Sequence, residues 1–418
     1  STVIRIPSLK LLTPHSEMNF TAQTYWELIN IPTTGRLTAR FNARIGKQDV
    51  LLFAGGLPEA FKEAYPFRPL VIHAGTEGNL KQMQISRFTA ELPGAFSLNG
   101  GGEFWNLTDS VKRNGNMDFE MHTQNLNFLT GLADIAPDGS IIVPDSMHLA
   151  ARLGMEGAQC TAALKLKEKE GALNLDAAYN LATEAYHADL AINNLQVHHF
   201  LPKDSIYTLT AKMSAKGQGV DVASRKTVAA LNASLEKLQY GHWDISGVDV
   251  HAGLKSSVAT VRLASDNVLL KMQGNADMRL DRSYLDGALD LNVEEVNLHK
   301  LGLVPRPLKH PFAFTMGAEA RHDSLKLRLD AGDLNLRFRA HSTLKKLMEQ
   351  SDKFVSILTK QIDERRLDHA ALRQVLPSAG MHLEAGNQNP VSYFLAAKGI
   401  SYNDFKLSFG FTPQVGIN

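Results

Sequence analysis

The chain is short of nearly everything that announces chemistry. Its 418 residues hold one cysteine, Cys160, so an intrachain disulfide framework is excluded. Cys160 stands beside Ala and Thr with no neighbouring His, and reads as an inert thiol. Neither sign of charge is in excess: the net charge is +1, with Lys and Arg interleaved among Asp and Glu. That lacks the basic stripe of a nucleic-acid binder, so no nucleic acid is expected as a partner. No run approaches the roughly 20 apolar residues that span a bilayer. No signal peptide is visible and the first residue is Ser1, so the chain reads as a fragment excised from a longer protein.

Catalytic signatures are missing too. There is no H-E-x-x-H, G-x-S-x-G, Walker A or C-x-x-C, and no carboxylate pair stands out as general acid and base. The fifteen histidines form no metal signature. His198-His199 is the nearest approach, but neighbours on a strand point to opposite faces, so the pair reads as structural. Gly217-Gln218-Gly219 lacks the third glycine and the helix of a dinucleotide site and reads as a turn, as does Asn99-Gly100-Gly101-Gly102. The expectation is a protein that is not an enzyme, with no cofactor and no metal.

What the sequence has is alternation. Leu37, Ala39, Phe41, Ala43 and Ile45 alternate with Arg36, Thr38, Arg40, Asn42 and Arg44. The same pattern runs through 207–214, 325–330 and 405–412. Period-2 alternation gives a strand with one apolar and one wet face, the mark of antiparallel sheets solvated on one side. Hairpins are predicted where 164–167 meets 172–175 across Glu168–Gly171, and where 325–329 meets 334–338 across Asp330–Asp333, with glycine supplying the positive φ of the turn.

An alternating segment also recurs. Phe119–Phe128, Ala188–Val197 and Leu289–Leu298 each alternate, insert two polar residues, and resume on the other parity. The slips fall at Gln124-Asn125, Asn193-Asn194 and Glu294-Glu295. A one-residue slip turns the pattern over, so a bulge or bend is expected there. The unequal spacing of the copies makes this a loose array.

Two segments read as helix. Pro58–Tyr65 supplies one or two turns. In Thr343–Leu376, Leu344, Leu347, Met348, Val355, Leu358 and Ile362 share a helix face, Asp368 can cap a second helix, and Pro377 ends it. The organisation expected is a repeating β-groove over 1–342, a helical hairpin over 343–376, and further groove strands over 377–418.

This texture resembles the AsmA-like superfamily, and more specifically the translocation and assembly module (TamB) family. The residues that carry the resemblance are Leu238-Gln239-Tyr240, Ile245-Ser246-Gly247-Val248, Leu289–Leu298 and Gly399-Ile400-Ser401-Tyr402-Asn403-Asp404-Phe405. The resemblance implies an all-β fold: an elongated antiparallel sheet curled into a β-taco, built from loose repeats. It implies a periplasmic segment, anchored to the inner membrane in the full-length parent. Phospholipid and, through the parent protein, an outer-membrane assembly barrel (TamA-like) are its implied partners, with membranes reached by segments missing here. The implied function is shielding lipid acyl chains, in support of phospholipid transport to the outer membrane and outer-membrane protein assembly. The family's anchor and barrel-binding domain have no counterpart in this sequence.

The apolar parity also points to a groove on its own. A sheet with one apolar face must bury that face against something, and a long exposed apolar stripe is a binding surface. Ten strands at about 4.8 Å each extend such a stripe by about 50 Å. The expected lining is Leu190, Ile192, Leu195, Val197, Leu289, Leu291, Val296, Leu298, Leu325, Leu327 and Leu329, against the plain alternative that they fill a dry core. Other functions remain open at this point: a scaffold or chaperone that binds unfolded outer-membrane strands without conducting lipid, and an adhesive or carbohydrate-active β-sandwich. The apolar stripe of the helical hairpin is expected to be buried, with the inside of the folded sheet as its natural receptor and the hairpin as a plug or lid.

Overall fold

The computed structural model describes residues 2–53, 56–132, 140–366, 368, 370–371, 379–401 and 403–411. Strands take up 55% and helices 14% of the chain, and the strands form open antiparallel sheet, not a closed barrel. The chain divides into two compact units, Ser1–Lys216 with Lys237–Asp244, and Gly217–Glu236 with Ile245–Asn418.

In the first unit the strands follow one another as a meander. They are β1 (Val3–Leu12), β2 (Glu17–Tyr25), β3 (Leu37–Ile45), β4 (Leu70–Gly78), β5 (Gln82–Leu92), β6 (Phe96–Trp105), β7 (Asn114–Thr123), β8 (Met147–Glu156), β9 (Gln159–Glu168), β10 (Gly171–Asn180) and β11 (Ala185–Gln196). Each pairs antiparallel with the next. Ile206–Gln218 is β12.

The second unit repeats the plan with β13 (Val228–Tyr240), β15 (Val248–Lys255), β16 (Val258–Asp266), β17 (Leu270–Arg279), β18 (Asp286–Val296), β19 (Phe312–Arg321), β20 (Ser324–Ala331), β21 (Leu334–Ala340), β22 (Ala379–Ala385) and β23 (Phe405–Phe411), while Trp243–Ile245 is a short β14. There β13 pairs β15, and each later strand pairs the next. The strands at 37–45, 207–213, 325–329 and 405–411 are where the alternation puts them.

Helices are more numerous than the sequence suggests. The expected turns at 58–65 form α3 (Glu59–Ala64), but α1 (Trp26–Asn30) and α2 (Lys47–Phe53) precede it. The first limb of the hairpin is α4 (Leu344–Asp363), capped by the Thr343 hydroxyl. Asp368 accepts from the backbone N–H groups of Ala370 and Ala371 at 3.0 and 3.2 Å, as a cap should; the remainder of the second limb lies outside the described residues. Unforeseen is α5 (Pro390–Ala397). Its apolar run has no period to read, and the usable signal was the Asn389-Pro390-Val391-Ser392 cap.

Both hairpins form, with a difference in the first. Glu168 pairs with Gly171, and it is Lys169 that takes the left-handed conformation at φ 48°. Gly171 is needed for closeness, since a Cβ there would stand 2.9 Å from the Cα of Leu195. In the second, Gly332 supplies φ 62° as expected.

Asn99-Gly100-Gly101-Gly102 is not a turn but the middle of β6. A Cβ on Gly100 would meet the Phe119 ring at 2.8 Å, and one on Gly102 the Asn116 carbonyl oxygen at 2.2 Å. The glycines make room for an aromatic ring and a neighbouring backbone, a use of strand glycine that composition conceals.

The three slips have different outcomes. At Gln124-Asn125 the strand has already ended, and a 3-10 turn follows at Asn127–Leu132. Asn194 sits inside β11 at φ 47°. The ladder shifts between Val293 and Val296, the bulge the sequence predicts.

Candidate functional site: a half-buried apolar face

Directly paired residues on neighbouring strands project from the same side of a sheet, so the register turns alternation into rows. In the second unit one row runs Leu231, Ala252, Val261, Ala276, Leu289, Ala318, Leu327, Phe338, Met381. The adjacent row runs Ala233, Val250, Leu263, Gly274, Leu291, Met316, Leu329, Leu336, Leu383 across the same nine strands. No polar side chain interrupts either.

The first unit has the same device. From β2 to β11 one row runs Phe20, Phe41, Ala74, Phe88, Gly100, Phe119, Ala151, Leu164, Leu175, Leu190. Its neighbour starts at Met18 and ends at Ile192, paired with Leu173.

The opposite face is wet. In the second unit one of its rows contains Asn232, His251, Arg262, Asn275 and Asp290. Cross-strand ion pairs lace it: Arg152 to Asp118 at 2.6 Å, Arg337 to Asp330 at 2.6 Å and Lys406 to Glu384 at 2.8 Å. Hydrogen bonds from Lys326 and Arg321 hold the Glu319 carboxyl below the usual carboxylate range, and Lys406 and His382 do the same for Glu384. These groups are solvated, which is ordinary surface electrostatics.

The middle of the apolar face is neither dry nor bare. Phe41, Phe88, Phe119, Leu291, Leu329, Leu336 and Phe338 are all half-buried, and Val261 is 40% exposed. Full burial is found at the strand ends instead. Leu92 and Ala95 are sealed with Phe61, Tyr65, Leu126 and Phe128 where α2, α3 and the 127–132 turn fold over the ends of β5 and β6. The rings of Phe61, Tyr65 and Phe128 lie 5.4–5.7 Å apart, and burial raises the Tyr65 pKa. Val293, Leu298, Ala331, Ala340 and Ala385 are buried at strand ends in the second unit. Dry hems thus flank a half-open middle. Two such rows side by side with a third cover about 14 Å by 43 Å, roughly 600 Å², at the upper end of what a soluble monomer exposes.

Nine of the eleven expected lining residues fall on this face or its hem, and Leu195 and Val197 lie beyond the described register. Leu190 and Ile192 end two rows of the first unit, with Leu195 half-buried just after Asn194 and Val197 in the turn that follows the strand. Leu289 and Leu327 share one row of the second unit, Leu291 and Leu329 the next, while Leu325 shares a third with Ala320 and Ala340. Val296 faces Leu270 and Phe312, and Leu298 belongs to the buried hem at 7% exposure. None of the other ten is fully buried. The sequence reading missed Phe338, Met316, Leu263 and Met381, which only register assigns to these rows.

Part of the hairpin's apolar stripe is not covered as expected: Val355 and Ile362 are 58% and 60% exposed, as is the neighbouring Met348 at 61%, while Leu358 is half-buried and the side chains of Leu344 and Leu347 lie outside the described residues. His198 and His199 are tied into structure, His198 Nδ1 to the Tyr207 carbonyl at 3.2 Å and His199 Nδ1 to Glu168 at 2.8 Å. Cys160 lies on the apolar parity between Met155 and Tyr179.

No family profile matches this chain, and no curated protein is similar to it. The functional reading therefore rests on the geometry above.

Proposed function

We propose that this chain is a non-catalytic segment whose apolar face forms a groove that shields lipid acyl chains. The observation that carries the proposal is the pair of uninterrupted apolar rows across nine strands of the second unit, half-buried in the middle and sealed at the strand ends. A dry core would bury those side chains fully, because interiors are close-packed. A surface exposed to water alone would carry polar groups there. Half-burial of a continuous stripe suits a flexible apolar guest that completes the packing. The resemblance to the TamB family supports the same reading. With it come the further proposals of a periplasmic location, an inner-membrane anchor in the parent protein, phospholipid as cargo, and an outer-membrane assembly barrel as partner.

The test is to extract the purified chain and identify co-purifying lipids by mass spectrometry, then to titrate it with a fluorescent fatty acid. Leu291→Asp places a charge on the apolar face and should weaken fatty-acid binding by about tenfold or more, the cost of desolvating a carboxylate against apolar surface. Asn292→Asp, on the wet face, should leave it unchanged. No lipid and no saturable fatty-acid binding in the parent chain would refute the proposal. Saturable binding of an unfolded outer-membrane β-peptide, without lipid, would favour the scaffold reading in its place.

A further inference from the structure

The wet face of the first unit holds a cluster the apolar rows do not explain. His122 on β7 and His148 on β8 are direct cross-strand partners. Their rings stack, with centroids 4.4 Å apart and planes 15° from parallel. Glu120 sits two residues before His122, on the same side of β7. The residue opposite Glu120 is Ala150, whose methyl group leaves the carboxylate free to swing diagonally to His148. Oε1 of Glu120 lies 2.8 Å from His148 Nε2 and 3.7 Å from His122 Nε2. One donor atom from each of the three residues falls within 4.8 Å of the others.

We propose that Glu120, His122 and His148 form a binding site for a divalent transition-metal ion of the zinc class. Two imidazoles and one carboxylate are a ligand set that borderline metals accept. Zn²⁺ bonds of about 2.0–2.1 Å in a tetrahedron put donors about 3.3–3.4 Å apart, and the two separations to the glutamate straddle that value. Calcium and magnesium require oxygen ligands in greater number, so they are excluded by chemistry. The ligands stand on two hydrogen-bonded strands, so little main-chain order is lost on binding. All three are open to solvent, with side-chain exposures of 56%, 57% and 36%, which leaves the fourth position to water. Lys167 faces His148 from β9, and its charge sets a limit on affinity. The pattern was hard to see in the sequence because Glu-x-His supplies only two ligands, and the third comes from a register 26 residues away.

The site is tested by titrating the metal-stripped full chain with Zn²⁺ by calorimetry. One equivalent should bind, and His122→Gln and His148→Gln should each weaken binding about tenfold or more, the scale on which lost metal-site contacts are felt. His251→Gln, a wet-face histidine bonded to Asn232, should leave it unchanged. Circular dichroism of each variant should match the parent. If a variant misfolds, the parent loaded with Co²⁺ decides: a visible absorption band of low-coordinate nitrogen and oxygen ligation is required. Absence of saturable binding, a Co²⁺ spectrum of the hydrated ion, or equal binding by the two folded variants would overturn the proposal.

Discussion

The side chains that most constrain this protein are its smallest. Gly102 lies in the middle of β6, where a Cβ would stand 2.2 Å from the Asn116 carbonyl oxygen. That obstacle is main chain and has no rotamer to escape to. Gly102→Ala should therefore cost about 1–3 kcal/mol, as overpacking does, and lower the urea midpoint, whereas Asn99→Ala in the same strand should change it little. The ionised residues of the wet face act more softly. Glu319 is held below the usual carboxylate range by Lys326 and Arg321. A carboxyl with a lower pKa folded than unfolded adds stability above its unfolded value, and that stability is lost as the pH falls through its folded value. The urea midpoint should thus drop on acidification from about pH 5 to about pH 3, the range in which carboxylates titrate. Glu319→Gln should flatten part of that drop. None of this was legible in the sequence: the Asn99–Gly102 run looks like a turn until Phe119 and Asn116 are known to lie alongside it.

At the scale of elements, the strands were legible and the helices less so. Alternation is a local signal and places β3, β20 and β23 directly. Helix α5 depends on tertiary support: Asn389 is fully buried, accepts from the Ser392 N–H at 2.9 Å, and donates to Asp333 and Gly386 at 2.7 Å each. Asn389→Ala removes a cap and strands the buried Ser392 N–H donor, and should cost about 2–3 kcal/mol by chemical denaturation. Helix α4 behaves oppositely. Its Val355 is 58% exposed, so Val355→Asp should shift stability by less than about 0.5 kcal/mol, as surface substitutions do. A large loss would mean that the stripe is covered in solution. The lining of the apolar face was half legible for the same reason: parity gives the face of each strand, as for Leu289 and Leu327, but only register reveals that Ala318 joins them and that Phe338 continues the row.

At the scale of the whole molecule, each unit is built from pairings between strands adjacent, or nearly so, in sequence. Contact order is therefore low for so large an all-β protein, and most loop closures are short, the longest being the connection from Ala340 to Ala379 that carries α4. Such a chain can zip up one strand at a time behind a growing end, without waiting for a distant partner. It should also fray the same way, because repeat-like arrays are held by nearest neighbours. In the first unit β1 pairs with β2 alone among the described pairings, and its Leu9 and Leu11 are 60% and 57% exposed. Hydrogen exchange by mass spectrometry should show protection rising in steps from β1 through β2 and β3 to the interior strands. Uniform protection from β1 inward would mean that the unit opens as a single block, and not strand by strand from a free edge.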